Sequence, residues 1–269
     1  MIKQSTIVLC LCLFAGHGFA QTDSFRVLKT ITGDIVDFAV DNLDNVYLIS
    51  KTNQVKKLNA NGDSVAVFND VKKYGQATLI DVSNPLKVLL YYRDFATIVV
   101  LDRFLSLRNT IDLRRQNILQ VKAIGQSYDN KIWVYDELDN KLKKIDDDGT
   151  VLGETPDFRQ LFDAVPLPQR IYDEDQFVYL YGSTQAVYAF DYYGALKNKI
   201  PINHWDNFKV AGKFIYGSKG HTLYRYEIKT FRTQEWKLPE AILHAKAFNF
   251  TSSRLYALRR DRIDIFDFH

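Results

Sequence analysis

The chain has 269 residues, with 35 basic and 32 acidic side chains and a formal net charge of +3. Charges of both signs are mixed along the chain, so the sequence lacks the basic stripe of a nucleic-acid-binding protein and predicts no nucleic-acid partner. Cys10 and Cys12 are its only cysteines, which excludes disulfides, thiolate metal sites and cysteine nucleophiles beyond residue 20.

The first twenty residues are typical of a secretory signal peptide. Lys3 is the only formally charged residue among them, an apolar run covers residues 7–15, and Gly18 and Ala20 supply the small residues before a cleavage site. We therefore predict a signal peptide over residues 1–20 and export to the periplasm or the outer-membrane periphery, with secretion as an alternative. A retained N-terminal anchor is the other interpretation. No further apolar run is long enough to span a bilayer, so the mature chain is expected to have no transmembrane segment.

Residues 21–269 are expected to form one domain of short β-strands. In the first unit, alternating and β-branched residues predict strands over 34–41, 46–50, 55–58 and 64–68. Asn and Asp at 42, 44 and 45, and the segment 59–63 with Gly62, predict tight turns between them. Four consecutive strands with such turns indicate an antiparallel meander.

This unit recurs six times along the chain. The strand centres that define the repeat are Tyr47, Leu90, Trp133, Tyr179, Tyr216 and Tyr256. A polar residue follows an apolar one about a dozen positions later in each unit, at Asn59, Asp102, Asp146, Asp191, Glu227 and Asp267. A period of roughly 40 residues built from short strands is typical of β-propeller blades. The sequence therefore predicts an all-β, six-bladed β-propeller of four-stranded antiparallel blades.

The sixth unit has only three predicted strands before the chain ends. A spare strand at residues 25–31 precedes the first unit. We predict that this N-terminal strand joins the last blade and closes the ring, which removes the open edge between the first and last units. Between the third and fourth units, Thr155 and Pro156 predict a short helix with Thr155 as its N-cap.

The repeat resembles the six-bladed propellers of the NHL and YncE kind. The similarity rests on residues 39–48 and 55–59 of the first unit and on residues 130–134 and 142–146 of the third, each followed by a glycine at 62 or 149. The resemblance implies the propeller fold and a habit of binding partners or ligands on a propeller face. It implies no particular activity, because one fold hosts many functions.

The six recurring polar residues allow two interpretations. They could form a ring of ligands, or each could cap the turn that follows the third strand of its blade. Capping is favoured, because the position repeats in every unit whereas a functional site usually breaks the symmetry.

A metal site in the central channel is an alternative function of the fold. Oxygen-rich side chains suit calcium, and the candidates on or beside the innermost strands are Asp37, Asp81, Asn84, Asp173 and Asn249. Such a site would make the protein a metal-dependent, lactonase-like hydrolase. The sequence contains no HExxH or GxSxG motif and no phosphate-binding glycine loop, so we predict no catalytic residue and no cofactor.

Aromatic residues near predicted turns are candidates for recognition of a partner protein or a sugar. They are Tyr91, Tyr92, Tyr192, Tyr193 and Trp205. The function that we predict is an exported, non-enzymatic propeller that serves as a scaffold or accessory subunit and binds another protein of the bacterial cell envelope. A sensor of sugars or other small ligands is the remaining alternative.

Overall fold

The computed structural model describes residues 25–268. The predicted signal peptide at residues 1–20 therefore lies outside the described residues. Within them, twenty-four strands form six four-stranded antiparallel sheets arranged as the blades of a propeller. The predicted all-β, six-bladed propeller is confirmed.

The blades follow one another along the chain. Blade 1 contains β2 (Asp37–Val40), β3 (Val46–Ile49), β4 (Val55–Leu58) and β5 (Ser64–Phe68). Blade 2 contains β6 (Leu79–Asn84), β7 (Lys87–Tyr92), β8 (Thr97–Asp102) and β9 (Leu107–Asp112). Blade 3 contains β10 (Val121–Gln126), β11 (Ile132–Asp136), β12 (Lys141–Ile145) and β13 (Val151–Glu154).

The second half of the ring repeats this arrangement. Blade 4 contains β14 (Arg170–Glu174), β15 (Phe177–Tyr181), β16 (Val187–Phe190) and β17 (Leu196–Ile200), and blade 5 contains β18 (Asp206–Ala211), β19 (Phe214–Lys219), β20 (Thr222–Glu227) and β21 (Arg232–Lys237). Blade 6 contains β22 (Ala247–Phe250), β23 (Arg254–Arg259), β24 (Arg262–Phe268) and β1 (Phe25–Thr32). Helices α1 (Val71–Tyr74), α2 (Phe158–Leu161) and α3 (Glu240–Leu243) lie between blades.

The meander gives the propeller two distinct faces. The first strand of each blade is innermost, and neighbouring innermost strands contact one another around a central channel. The turns after the first strand of each blade, and after the third strand of blades 1 to 5, lie on one side, which we call the turn face. The connections after the second and fourth strands lie on the opposite face.

The N-terminal strand closes the ring as predicted. β1 pairs antiparallel with β24, with Thr30 opposite Asp264 and Ile31 opposite Ile263. The Thr30 hydroxyl also donates to Asp264 Oδ1 at 2.8 Å. Blade 6 thus combines both ends of the described chain, and β24 has no unpaired edge.

The hydrophobic core is divided among the six blade–blade seams. Six clusters of buried side chains each join two neighbouring blades. Tyr47 belongs to the seam between blades 1 and 2, Trp133 to the seam between blades 3 and 4, and Tyr256 to the seam between blades 6 and 1. The repeated aromatic residues of the sequence therefore fill the gaps between twisted sheets.

The structure corrects the repeat in blade 2 by one residue. Tyr47 pairs with Ala39 and Trp133 pairs with Gly125, whereas the corresponding pair in blade 2 is Leu89 with Asp81. Leu90, the strand centre assigned from the sequence, faces blade 1 instead. A shift of one residue turns a strand side chain to the other face of its sheet, and hydrophobicity cannot detect it when both faces are buried.

The short helix between blades 3 and 4 begins later than the sequence predicts. Asp157 is the N-cap of α2 and accepts from Arg159 N at 2.8 Å. Thr155, the predicted cap, accepts instead from Leu142 N at 3.1 Å. The backbone N–H of Leu142 in blade 3 therefore donates to the Thr155 hydroxyl, which the local sequence pattern assigns to the helix N-cap.

We expect Ile31→Ala to weaken the closure of the ring. Ile31 is 8% exposed in the seam between blades 6 and 1, and truncation of a buried isoleucine costs about 2–4 kcal/mol of unfolding free energy. Val27→Ala on the same strand is the matched control. Val27 is 58% exposed, so its truncation should cost less than about 0.5 kcal/mol. Urea unfolding of both variants measures the difference, and equal losses would contradict a role of β1 in closure.

Candidate functional site

A central channel runs between the innermost strands and encloses a cavity of about 850 Å³. All six blades contribute to its wall, including Val40, Asp81, Ile124, Tyr172, Lys209 and Asn249. This volume lies within the range of small-molecule pockets. The channel is therefore one of two regions with the geometry of a functional site.

One register position on the innermost strands controls how each blade meets the next. Its occupants, each paired with the aromatic or aliphatic centre of the second strand, are Ala39, Asp81, Gly125, Tyr172, Lys209 and Asn249. Asp81 Oδ2 accepts from Gln126 N of the following blade at 2.6 Å, and the Tyr172 hydroxyl donates to Phe208 O of the following blade at 2.7 Å. Asp81 and Tyr172 therefore bond the backbone of the next innermost strand.

Lys209 links three blades from inside the channel. Its ammonium group donates to Phe250 O at 2.6 Å, to Asn249 Oδ1 at 3.2 Å and to Val40 O at 3.2 Å. Burial lowers the pKa of Lys209 to about 8, while the carboxylates of Asp41 and Asp81 oppose the shift. An amine that is buried among neutral acceptors explains this direction, because the charged form loses its hydration.

Two carboxyl groups near Lys209 have pKa values shifted in the opposite direction. Burial raises the pKa of Asp81, although hydrogen bonds from Ser83 and Gln126 partly counter it. Burial also raises the pKa of Glu174, against a hydrogen bond from the backbone of Gly212. Titratable groups with shifted pKa values in a cavity are typical of functional sites, and they also occur in structural networks.

Four of the five metal candidates from the sequence line the channel cavity: Asp37, Asp81, Asp173 and Asn249. Asp37 lies at the start of β2, near the opposite face, and Asn84 lies in a turn on the turn face, where it accepts from Leu86 N. Asp81 and Asn249 bond their neighbouring blades, as described above. Among residues 25–268, no three or more His, Cys, Asp or Glu side chains form a group that could hold a metal ion.

Asp173, the remaining metal candidate, organises the seam between blades 3 and 4. Its Oδ2 accepts from Trp133 Nε1 at 2.9 Å and from the Ser127 hydroxyl at 3.0 Å. Its Oδ1 accepts from the Tyr192 hydroxyl at 2.7 Å. The carboxylate is thus engaged by side chains of two blades.

The recurring polar residues cap turns in four blades. Asp102, Asp146 and Asp191 each accept from two backbone N–H groups of the turn that follows the third strand, and Asn59 accepts from one. Glu227 bonds the Thr230 hydroxyl, and Asp267 forms an ion pair with Arg26. The capping interpretation is confirmed for these four, and it means that the turns of the turn face are locally braced.

The turn face is the second region with the geometry of a functional site. Among the side chains that the structure describes, five aromatic rings are strongly exposed, and four of them lie in turns of this face. They are Phe104 at 55%, Tyr128 at 67%, Tyr193 at 94% and Phe231 at 67%. Phe95, at 42%, lies on the opposite face. The opposite face also exposes Leu119, Leu138 and Leu167, so the two faces differ mainly in aromatic content.

The structure separates the five aromatic candidates that the sequence suggested. Tyr193 is exposed on the turn face, and Tyr192 beside it is partly buried. Tyr91, Tyr92 and Trp205 are at most 8% exposed and pack in seams, which differs from the expectation that they project from turns. Tyr91 and Tyr92 end a buried strand, and Trp205 stacks on Tyr224 with ring centroids 5.0 Å apart.

Three exposed rings of the turn face were missed from the sequence. Phe104, Tyr128 and Phe231 each lie in a turn that follows a strand, as Tyr193 does, and a position near a predicted turn is the signal that singled out Tyr193. A search of the sequence for large aromatic residues inside predicted turns would have identified them, because no neighbouring strand covers a ring in such a position.

Comparison with solved structures shows the fold alone. Virginiamycin B lyase from Staphylococcus aureus aligns with a TM-score of 0.62 at 12% identity, covering 91% of this chain and 100% of that one. The WD40 domain of Neurospora crassa Pan2 aligns with a TM-score of 0.60 at 10% identity, covering 90% and 95% of the two chains. A streptogramin B lyase gives 0.58 at 13% identity, with 86% and 78% covered. No protein family and no curated protein sequence match the chain.

These neighbours include lyases and WD40 domains on one architecture, so the chain is similar to propellers of unrelated functions. None of the three is described as an NHL or YncE protein, and that finer resemblance stays a prediction. In the part of the chain that the structure describes, no helix combines the length and apolarity needed to cross a bilayer.

We expect Lys209→Met to change how stability depends on pH. The folded pKa of about 8 lies below the unfolded value of 10.5, so the unfolded chain binds more protons between these values. The unfolding free energy of the wild type should therefore rise with pH through this window, relative to Lys209→Met, by about 3 kcal/mol in total.

Denaturant melts at closely spaced pH values, from about pH 7 to about pH 10, measure this difference. The exposed Lys56→Met variant is the control and should keep the wild-type slope. A parallel pH dependence of Lys209→Met and the wild type would show that the amine is not buried in this way.

Proposed function

We propose that the protein is an exported, non-enzymatic binding propeller whose turn face docks another protein of the bacterial cell envelope. The observation that carries this proposal is the placement of Phe104, Tyr128, Tyr193 and Phe231 on one face of the ring. Aromatic side chains are enriched among the residues that dominate binding energy at protein interfaces. Exposed apolar groups collected on one face are also a feature of interaction surfaces.

The turns that present these rings are held in place before any partner arrives. Phe104 follows Asp102 and Tyr193 follows Asp191, and each aspartate accepts from the backbone N–H groups of its own turn. A surface that is already ordered loses less conformational entropy on binding. This rigidity favours recognition of a folded partner or a defined segment of one.

The proposed export of the protein rests on the sequence of residues 1–20. The order of a lysine, an apolar run and small residues over residues 1–20 supports export. The first described strand of the ring, β1, begins at Phe25, close to the cleavage site predicted after Ala20. An accessory subunit of an envelope assembly fits both observations.

We expect capture of an envelope partner to depend on the turn face. Tagged mature protein would be used to capture proteins from cross-linked envelope fractions, with Phe104→Ser, Tyr193→Ser and Phe231→Ser combined in one variant. Loss of aromatic anchors at an interface commonly costs about 2 kcal/mol or more each, so recovery of the partner should fall at least about tenfold.

The matched control exchanges exposed apolar residues of the opposite face, with Phe95→Ser and Leu119→Ser combined. This variant should capture the partner as the wild type does, and circular dichroism should show that both variants are folded. Equal capture by the two variants, or loss only in the opposite-face variant, would contradict the proposal.

A second candidate function is binding of a small ligand in the channel. The cavity of about 850 Å³ and the three titratable groups Asp81, Glu174 and Lys209 favour it. A similar structure, an inactive virginiamycin B lyase from Staphylococcus aureus, is described with quinupristin, and it covers 91% of this chain at 14% identity with a TM-score of 0.62. At least one protein of similar fold is therefore described together with a small molecule.

Native mass spectrometry tests this second function, with protein purified from the envelope of the cells that naturally produce it. We expect a bound small molecule that dissociates on activation and that is lost when Asp81→Leu removes the channel carboxylate. The exposed Asp63→Leu variant should keep the ligand. Detection of the bare chain mass alone, with a partner protein captured by the turn face, would leave the docking function and remove this one.

A further inference from the structure

An aromatic cage on the turn face surrounds the ammonium group of Lys144. Lys144 Nζ lies 5.2 Å from the ring centroid of Tyr128, 5.2 Å from that of Trp133 and 5.6 Å from that of Tyr192. Asp129 Oδ2 completes the site with an ion pair to Lys144 Nζ at 2.8 Å. The ring faces carry negative electrostatic potential, so the arrangement is selective for a cation.

Hydrogen bonds and stacking hold the three rings of the cage in place. Trp133 Nε1 and the Tyr192 hydroxyl both donate to the carboxylate of Asp173, at 2.9 and 2.7 Å. Tyr128 stacks on Tyr192 with ring centroids 4.4 Å apart and an interplanar angle of 17°. Residues of two blades thus hold the three rings in a fixed geometry around Lys144.

The surroundings of the cage are open to a partner and acidic. Tyr128 is 67% exposed and Tyr193, in the adjoining turn, is 94% exposed. The three segments around the cage, residues 127–131, 144–150 and 191–197, contain five aspartates and three lysines, and Lys87 of blade 2 pairs with Asp147, so acidic residues exceed basic ones by one. A partner segment of positive charge is therefore complementary to this part of the turn face.

We infer that the cage receives a lysine or arginine side chain from a basic segment of the partner, in exchange for Lys144. This inference rests on the docking function proposed above and names the chemistry that the turn face recognises. Lys144 is the internal occupant of the cage in the free protein, and its ion pair with Asp129 lies at the exposed rim. On binding, the partner's cation takes the position among the three rings, and Lys144 turns outward into solvent.

Exchange of one cation for another makes the site reversible and selective. The cage is never left without a cation, so neither the rings nor Asp129 lose their electrostatic partner when the complex dissociates. A cation–π contact contributes about 0.5–2 kcal/mol, and the incoming side chain must exceed the interaction that Lys144 already makes. Removal of Lys144 should therefore strengthen binding, which is the opposite of what a purely structural lysine predicts.

The test follows the indole N–H signal of Trp133 in ¹⁵N-labelled protein, with signals assigned by comparison with Trp205→Phe and Trp236→Phe variants. The probe is a hexalysine peptide, and a hexaglutamate peptide serves as the control. We expect saturable shifts of the Trp133 signal with hexalysine only, at least about tenfold tighter binding in Lys144→Ala, and loss of binding in Lys144→Ala combined with Tyr128→Leu.

Two further variants keep the outcome interpretable. Lys144→Met retains the aliphatic stem that packs on the rings, so it should also bind more tightly if Lys144→Ala proves poorly folded. The exposed Lys56→Ala variant, on blade 1, should bind as the wild type does. Unchanged or weaker hexalysine binding in both Lys144 variants would falsify the exchange.

The same measurements separate this inference from the docking function. The docking function would stand without the cage if capture of an envelope partner requires Phe104 and Phe231 while hexalysine does not shift the Trp133 signal. That result would contradict cation binding in the cage. Cation binding at Trp133 without any turn-face capture would sustain the cage and remove protein docking as its purpose.

Discussion

The gap between neighbouring innermost strands is the constraint on which the rest of the structure depends. Each blade widens outward, so the strands converge at the channel and leave one register position to fill each gap. A Cβ placed on Gly125 would lie 3.0 Å from Ile171 of the next blade, a distance that real Cβ atoms rarely show. Where the gap is wider, Tyr172 and Lys209 bridge it by donating to carbonyl groups of the next blade. Two carbonyl groups of the channel wall, Phe208 O and Phe250 O, thereby gain a donor without sheet pairing between blades.

Lysine serves the same purpose away from the channel. Lys57 donates to Arg103 O, Lys87 to Asn130 O and Lys246 to Val36 O, and each of these bonds connects two blades. A long side chain that buries its methylene groups and ends in three donors suits a seam of this kind. Charged residues that resemble binding or catalytic groups in the sequence are therefore largely used to hold the ring. Asp173 is the acidic counterpart, since it collects donors from both sides of one seam.

Because polar residues are used in this way, we propose the turn face, and not the channel, as the recognition surface. The channel groups have shifted pKa values, yet Lys209 already has three acceptors and Asp81 already has backbone donors. Four aromatic rings of the turn face are more than half exposed, and Tyr193 is 94% exposed. The cage at Lys144 connects the polar contacts of the seams with the proposed binding on the turn face. Asp173 bonds Trp133 and Tyr192, and these are two of the rings that we propose receive a partner's cation. In this proposal, the same residues at the boundary of blades 3 and 4 stabilise the ring and bind the partner.

The sequence by itself determined the blade count, the meander within each blade, the closure by β1 and the turn caps at Asp102, Asp146 and Asp191. These features depend on local patterns, such as strand periodicity and an aspartate that bonds its own turn, which are visible in one segment at a time. Only the tertiary structure decided that Leu89 and not Leu90 is the equivalent centre of blade 2, because both faces of that strand are buried and hydrophobicity does not distinguish them. It also decided that Tyr91 and Trp205 are core residues while Tyr128 is exposed, and that Tyr128, Trp133 and Tyr192 meet around Lys144. Those relations join residues of different strands and blades, so they arise only when the blades pack and set which side chains share a seam.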